Sequence, residues 1–215
     1  MAPTDRFKPR KQPRQQRSAR TREWILTAAA QVFADHGYAA GTTNRIAERA
    51  GVSIGSLYQY FPNKDAILGA LIDEHIDAGS RILGERLAEG LPGPLDDILR
   101  LFVRATIDNH RDNPRLHRVL FEEAPRSPAL LARLRDTEQF AVDLVTPLLA
   151  NHPEVSVPDH RLAARLVVAT VESLVHRLIA TTTPAPPEQL ENEMVDLLGN
   201  YLRRPLHPDP AAAGP

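Results

Sequence analysis

Gly41-Thr42-Thr43-Asn44-Arg45-Ile46-Ala47-Glu48-Arg49-Ala50-Gly51-Val52-Ser53-Ile54-Gly55-Ser56-Leu57-Tyr58-Gln59-Tyr60-Phe61-Pro62-Asn63-Lys64 reads as two short helices joined by a tight turn. The first runs from Thr43, a natural N-cap, to Ala50, with Ile46, Ala47 and Ala50 on its buried side. Gly51 ends it, because a residue without Cβ enters the left-handed region at little cost. Ser53 caps the second helix, which runs to about Phe61, where Pro62 stops it. Asn63 then caps a long helix starting near Lys64. Ile46, Ala47, Val52, Leu57 and Phe61 supply a miniature core. The opposite face of the second helix is left with Gly55, Ser56, Gln59 and Tyr60. That face is small, polar and free of acidic groups, which suits a helix sitting deep in the major groove of duplex DNA.

Toward the N-terminus, Ile25, Ala29, Val32 and Phe33 recur at three- and four-residue steps, which predicts a helix over 18–36 ended by Gly37. Trp24, the chain's one tryptophan, is expected to pack rather than to do chemistry. Residues 1–17 combine Pro3, Pro9 and Pro13 with Arg6, Lys8, Arg10, Lys11, Arg14 and Arg17, the composition of a disordered basic arm. Such an arm is either an inert leader or a source of phosphate and minor-groove contacts. Toward the C-terminus the pattern stays helical, near 64–89, 94–111, 114–124, 128–150, 159–181 and 187–203, with proline-bearing breaks between. Residues 205–215 read as a flexible tail. The expectation is therefore an all-α chain of about nine helices. A three-helix DNA-binding domain (18–64) precedes a larger helical ligand-binding and dimerisation domain (65–204).

Charge divides the same way. Residues 1–64 hold eleven Lys/Arg against four Asp/Glu, whereas the whole chain has 26 and 27. A basic first third on an acidic body points to an anionic partner for that third, with nucleic acid leading. The chain has no cysteine, which excludes disulfides, thiolate metal sites and a cysteine nucleophile. The basic stretch before Trp24-Ile25-Leu26 imitates a signal peptide, but Gln31 and Asp35 interrupt the apolar run, and no stretch approaches a membrane span. The chain reads as cytoplasmic, with no membrane association.

The quoted run is similar to the signature of the TetR/AcrR family of repressors. Thr42-Thr43 with Ile46-Ala47 opens the helix as in that family, Ala50-Gly51-Val52-Ser53 forms its turn, and Leu57-Tyr58-Gln59-Tyr60-Phe61 is followed by the lysine, Lys64, that opens helix four. The resemblance covers residues 18–64; beyond them it is one of layout. It implies a phosphate contact for Thr43 besides capping, and a base or phosphate contact or plain solvated surface for Asn44. Arg45 reaches a phosphate or is solvated. Ile54, Gly55, Ser56 and Gln59 are the base-edge candidates, Ile54 through shape or a thymine methyl. Tyr58 and Tyr60 hold the DNA backbone or pack within the small domain. Lys64, beside helix-terminal amides, meets a phosphate.

In the family the effector pocket lies among the later helices. Phe102, Thr106, Asn109 and His110 fall at helical spacing, as do Arg118 with Glu122 and Glu172 with His176. Each is an effector-binding candidate or an ordinary core or surface group. The 159–181 helix is apolar on two sides: Leu162, Leu166, Ala169, Ser173 and Arg177 on one, and Val167, Val168, Val171, Val175 and Leu178 on the other. A helix of this kind is covered on both, which the resemblance assigns to the body and to a twin in a homodimer. In the last helix Leu190, Met194, Leu197, Leu198 and Tyr201 form the stripe.

The implied function is a ligand-responsive regulator released from a near-palindromic operator by a small-molecule effector. The alternatives are an effector-independent regulator controlled by a protein partner and, more remotely, an all-helical enzyme. No catalytic residues, metal ligands or cofactor are expected. Asp73, His75 and Asp77 alternate, and residues two apart on a helix point to different faces, so they do not converge on one ion.

Overall fold

The computed structural model describes residues 14–88, 90–91, 93–111, 113–125, 127–179 and 183–204. Among them all regular structure is helical: α1 (Arg14–Ala40), α2 (Thr43–Ala50), α3 (Ile54–Tyr60), α4 (Lys64–Ala88), α5 (Leu95–Arg111), α6 (Pro114–Arg118), α7 (Pro128–Ala150), α8 (His160–Leu178) and α9 (Pro187–Leu202). α6 runs on into a π-helical turn, Val119–Glu123. The all-α expectation holds. The expected arm over 1–17 falls mostly outside the described residues, as does the expected tail over 205–215. Arg14 to Arg17 already belong to α1, which starts before Ser18 because Arg and Gln are good helix formers. No described helix is long and apolar enough to cross a membrane.

The chain divides into two compact units, Met1–Leu71 and Ile72–Pro215, with the division inside α4. Buried Ile67, Leu68 and Leu71 fall on the first side, so the opening turns of α4 go with the first unit.

In the first unit α1 buries Ile25, Leu26, Ala28, Ala29, Val32 and Phe33, α2 buries Ile46 and Ala47, and Leu57 and Phe61 complete the core. Trp24 does not pack as expected: it stands 59% exposed, just before the buried stripe begins. Gly37 leaves helical geometry at φ 72° and kinks the end of α1, at the residue read as its terminator. α2 closes in a Schellman arrangement. The Gly51 amide donates to the Glu48 carbonyl at 3.1 Å and the Val52 amide to the Ala47 carbonyl at 3.0 Å, with Gly51 at φ 65°.

The second unit is built around one core. Leu95, Leu99, Val103 and Ile107 of α5 meet Val142, Val145 and Leu149 of α7, the valine face of α8, and Leu190, Met194, Leu198 and Leu202 of α9. Within it Glu191, 3% exposed, accepts hydrogen bonds from Arg104 (Nε 2.8 Å, Nη2 3.0 Å) and Arg100 (Nη1 2.8 Å), tying α9 to α5. Burial pushes the Glu191 carboxyl up, but these guanidiniums outweigh it and hold the carboxyl below the usual range. Leu197 departs from its expected stripe and is 55% exposed, on the face of α9 turned away from the core.

A buried carboxylate stripped of both partners costs far more than one neutralised in place. Arg100→Ala with Arg104→Ala is therefore expected to lose about 3–5 kcal/mol, and Glu191→Gln distinctly less, measured by urea denaturation at neutral pH.

Candidate nucleic-acid interface and imidazole cluster

α3 is only seven residues long and is fixed at both ends. The Ser53 hydroxyl accepts from the Ser56 amide at 3.0 Å, as the sequence suggested. Leu57 is fully buried beneath the helix. With that side anchored, Ile54, Gly55, Tyr58 and Gln59 are exposed, and Ser56 and Tyr60 partly so. Gly55 has open space around it: a Cβ built there would meet nothing closer than the Ser53 hydroxyl at 4.0 Å. The fold does not demand a glycine at this position.

α2 corrects one expectation. Its N-cap is Thr42, whose hydroxyl accepts from the Arg45 amide at 3.3 Å; Thr43 is already helical. The Thr43 hydroxyl instead lies 3.2 Å from that of Tyr58, linking α2 to α3 on the exposed side. Asn44 and Arg45 are exposed, and Arg45 Nη1 donates to His36 Nε2 at 3.2 Å. Lys64 is occupied within the protein. Its ammonium donates to the Tyr38 carbonyl at 2.7 Å and reaches the Ala39 carbonyl at 3.4 Å, lying 4.0 Å from the Tyr38 ring centre. Tyr38 in turn donates to Asp65. Asn63 caps α4 as expected, accepting from the Ala66 amide at 2.8 Å. Lys64 thus pins the start of α4 to the kink in α1 and retains one donor of its three.

In the second unit the effector candidates separate. Phe102 packs on the edge of the core, and Thr106 donates to its own helix, to the Phe102 carbonyl, at 3.0 Å. Arg118 and Glu122 are exposed, Arg118 facing Glu123 at 3.9 Å. Asn109, His110, Glu172 and His176 come together, joined by His117, which the sequence reading did not single out, and by His75, which it weighed only beside Asp73 and Asp77. His75 from α4, His110 from α5, His117 from α6 and His176 from α8 stack with Phe121 of the π-turn, whose ring lies nearly parallel to that of His117 at 4.4 Å. The His110 ring donates from Nδ1 to the Thr106 carbonyl at 2.7 Å, which leaves Nε2 as the lone-pair nitrogen, 3.3 Å from His176 Nε2. Asn109 Nδ2 stands 3.3 Å from His75 Nε2. His117 is 4% exposed, and its Nε2 is the one buried side-chain polar atom among the described residues without a hydrogen-bond partner. The spacing of His110, His117 and Phe121 was the available signal, but the break at Asn113-Pro114 hid it. Asp73 and Asp77 point elsewhere: Arg133 binds both, at 3.1 and 3.3 Å, while His75 faces the cluster.

A short capped helix held out on a Gly-Val-Ser turn is the reading element of helix-turn-helix proteins, and it places this chain among DNA-binding transcriptional regulators. The description "Bacterial regulatory proteins, tetR family" fits residues 25–71, and "Tetracyclin repressor-like, C-terminal domain" fits residues 94–202. The HTH-type transcriptional activator FasR of Mycolicibacterium smegmatis is 31% identical over 151 residues, covering 69% of this chain and 68% of the relative. The HTH-type transcriptional repressor AcnR of Corynebacterium efficiens is 28% identical over 196 residues, covering 86% and 94%. Among solved structures, a transcriptional regulator from Rhodococcus sp. Rha1 superposes with a TM-score of 0.69 at 25% identity, covering 84% of this chain and 95% of the other. The chain belongs to the TetR family of transcriptional regulators.

Burial, and then the neighbouring imidazoles, lower His75 and His110 from the ordinary 6.5 to about 4, and burial holds His117 lower still. The unfolded chain therefore binds more protons than the folded one between about pH 6.5 and about pH 4, and stability falls as pH drops through that window. Thermal melts at pH 7.5 and pH 5 are expected to show this loss. His117→Phe, which keeps the stack on Phe121 and removes the buried imidazole, is expected to flatten the slope.

Proposed function

We propose that this chain is a cytoplasmic, homodimeric repressor that occupies a near-palindromic operator and leaves it when a small-molecule effector binds the helical body. The observation that carries the reading is the exposed face of α3, anchored from behind by Leu57 and bare at Gly55. Ser56 and Gln59 supply hydrogen-bonding groups for base edges, and Ile54 an apolar contact for a thymine methyl. Gly55 lets the helix backbone approach the groove floor. Thr43 and Tyr58, already paired, present two hydroxyls to one stretch of DNA backbone. Asn44, Arg45 and Tyr60 flank them, and Lys64 sets the first turn of α4, where its remaining donor and the helix amides suit a phosphate.

The dimer reading is supported by α8. Its valine face is buried, yet Leu162 and Leu166 are 49% and 44% exposed, with Ala169 and Ser173 continuing the same side and Leu197 of α9 also bare. An apolar stripe of this length is expected to meet its own copy across a two-fold axis. Two heads then address half-sites about 34–36 Å apart, one DNA turn. In the effector half, Asn109, His110, Glu172 and His176 form the polar group that orients a ligand, and Phe102 and Thr106 lie on the same helix as Asn109 and His110. Arg118 and Glu122 are exposed and are left out of this group. A coupling of about 1–3 kcal/mol between the sites lowers operator affinity about 5–150-fold. Repression is the sign borne by the name of the AcnR relative.

Genome-wide occupancy mapping would supply the operator, and fluorescence anisotropy on that fragment tests the rest. Gly55→Ala is expected to raise thermal stability slightly, by up to about 1 kcal/mol, because alanine is the better helix former, while weakening operator binding at least about tenfold. A variant that binds as tightly as the parent refutes the groove contact. Leu166→Glu is expected to give a folded monomer by light scattering with operator affinity lost. A dimer that survives this change places the interface elsewhere.

A further inference from the structure

We propose that His110, Glu172 and His176 form a binding site for a divalent first-row transition metal ion, with the remaining coordination position left to solvent. This rests on the reading of the helical body as the effector half and names a class of ligand for it. The three ligand atoms form a small triangle: His110 Nε2 to His176 Nε2 at 3.3 Å, His176 Nε2 to Glu172 Oε2 at 3.5 Å, and His110 Nε2 to Glu172 Oε2 at 3.9 Å. Ligands on a tetrahedral zinc with bonds of 2.0–2.1 Å stand about 3.3 Å from one another. The triangle therefore needs little closure to receive an ion. His75, His110 and His117 form a second set whose ligand atoms all lie within 4.8 Å, sharing His110 with the first.

The chemistry of the donors selects the ion. Neutral imidazoles with one carboxylate suit zinc, cobalt, nickel or copper, whereas calcium and magnesium take oxygen shells. The His110 tautomer is fixed by its Nδ1 hydrogen bond to the Thr106 carbonyl, the arrangement that turns the other ring nitrogen toward a metal. His117 Nε2, buried and without a hydrogen-bond partner, has a lone pair or proton that no protein group meets. Four of the chain's eight histidines, drawn from four helices, converge here. Exposed Glu172 leaves the triangle open to ions from solvent.

The test uses tag-free, metal-stripped protein titrated with Co2+ and read by visible absorption, followed by displacement with Zn2+. The expected result is the d–d bands of four-coordinate cobalt, saturating at one ion per chain, and a higher melting temperature with Zn2+. His176→Ala and Glu172→Gln are each expected to weaken binding at least about tenfold. Because Glu172 is exposed, Glu172→Gln keeps the test intact should a histidine variant fail to fold. No cobalt bands and no zinc shift, or equal binding by the parent and both variants, overturn the site and leave only a packed imidazole stack. Operator anisotropy with and without Zn2+ separates the two readings. Release by an organic ligand in a chain that binds no metal removes the metal site and keeps the effector half. Metal binding that leaves operator affinity unmoved keeps the site and removes it from the effector reading.

Discussion

Helices of seven and eight residues do not hold themselves together in water; their hydrogen bonds return too little for the backbone freedom lost. α2 and α3 therefore exist only because Ile46, Ala47 and Leu57 are buried in the small core, and because Thr42, Ser53 and the Gly51 turn meet their terminal groups. This dependence fixes orientation as well as stability. With Leu57 fully buried there is one way to seat α3, and that seating decides that Ile54, Gly55, Tyr58 and Gln59 look outward. DNA reading in this protein is a consequence of what the small core hides.

The second unit follows the same rule at larger scale. α5, α7, α8 and α9 each bury one stripe in a common core, and the stripes left over are where function is sought. On α8 the leftover stripe is apolar, which calls for another protein surface. At the end of the α5 stripe, after Leu95, Leu99, Val103 and Ile107, the next buried position is His110, where the core passes from hydrocarbon to imidazole. The π-turn after α6 brings Phe121 against that cluster, a local irregularity of the kind that accompanies functional sites.

Much of this was legible in the residues. Gly51, Ser53, Asn63 and the proline-bearing breaks act through near neighbours, so a linear string contains their effect, and the helices fall close to where it placed them. The motif around the turn gave the exposed face of α3 for the same reason. The misreadings came from choices decided at a distance. Thr42 and Thr43 are both good caps, and the pairing of Thr43 with Tyr58 separates their roles. Lys64 also has an internal role that the linear string does not show, because the Tyr38 carbonyl lies beneath its ammonium. Trp24 lies just outside a stripe that includes the next residue. The imidazole cluster draws on four helices, and helical spacing within α5 and α8 picked out His110 and His176 but not their meeting with His75 and His117.

The open space around Gly55 bears on how such a protein changes over generations. Most positions in a small domain answer to folding first, so a new side chain there is screened for stability before its effect on recognition counts. At Gly55 the fold exercises no such veto. Under the proposed groove contact, variation at that position is filtered by the operator rather than by folding, and a duplicated copy of this chain could drift toward a different DNA sequence through it without first acquiring compensating changes in its core.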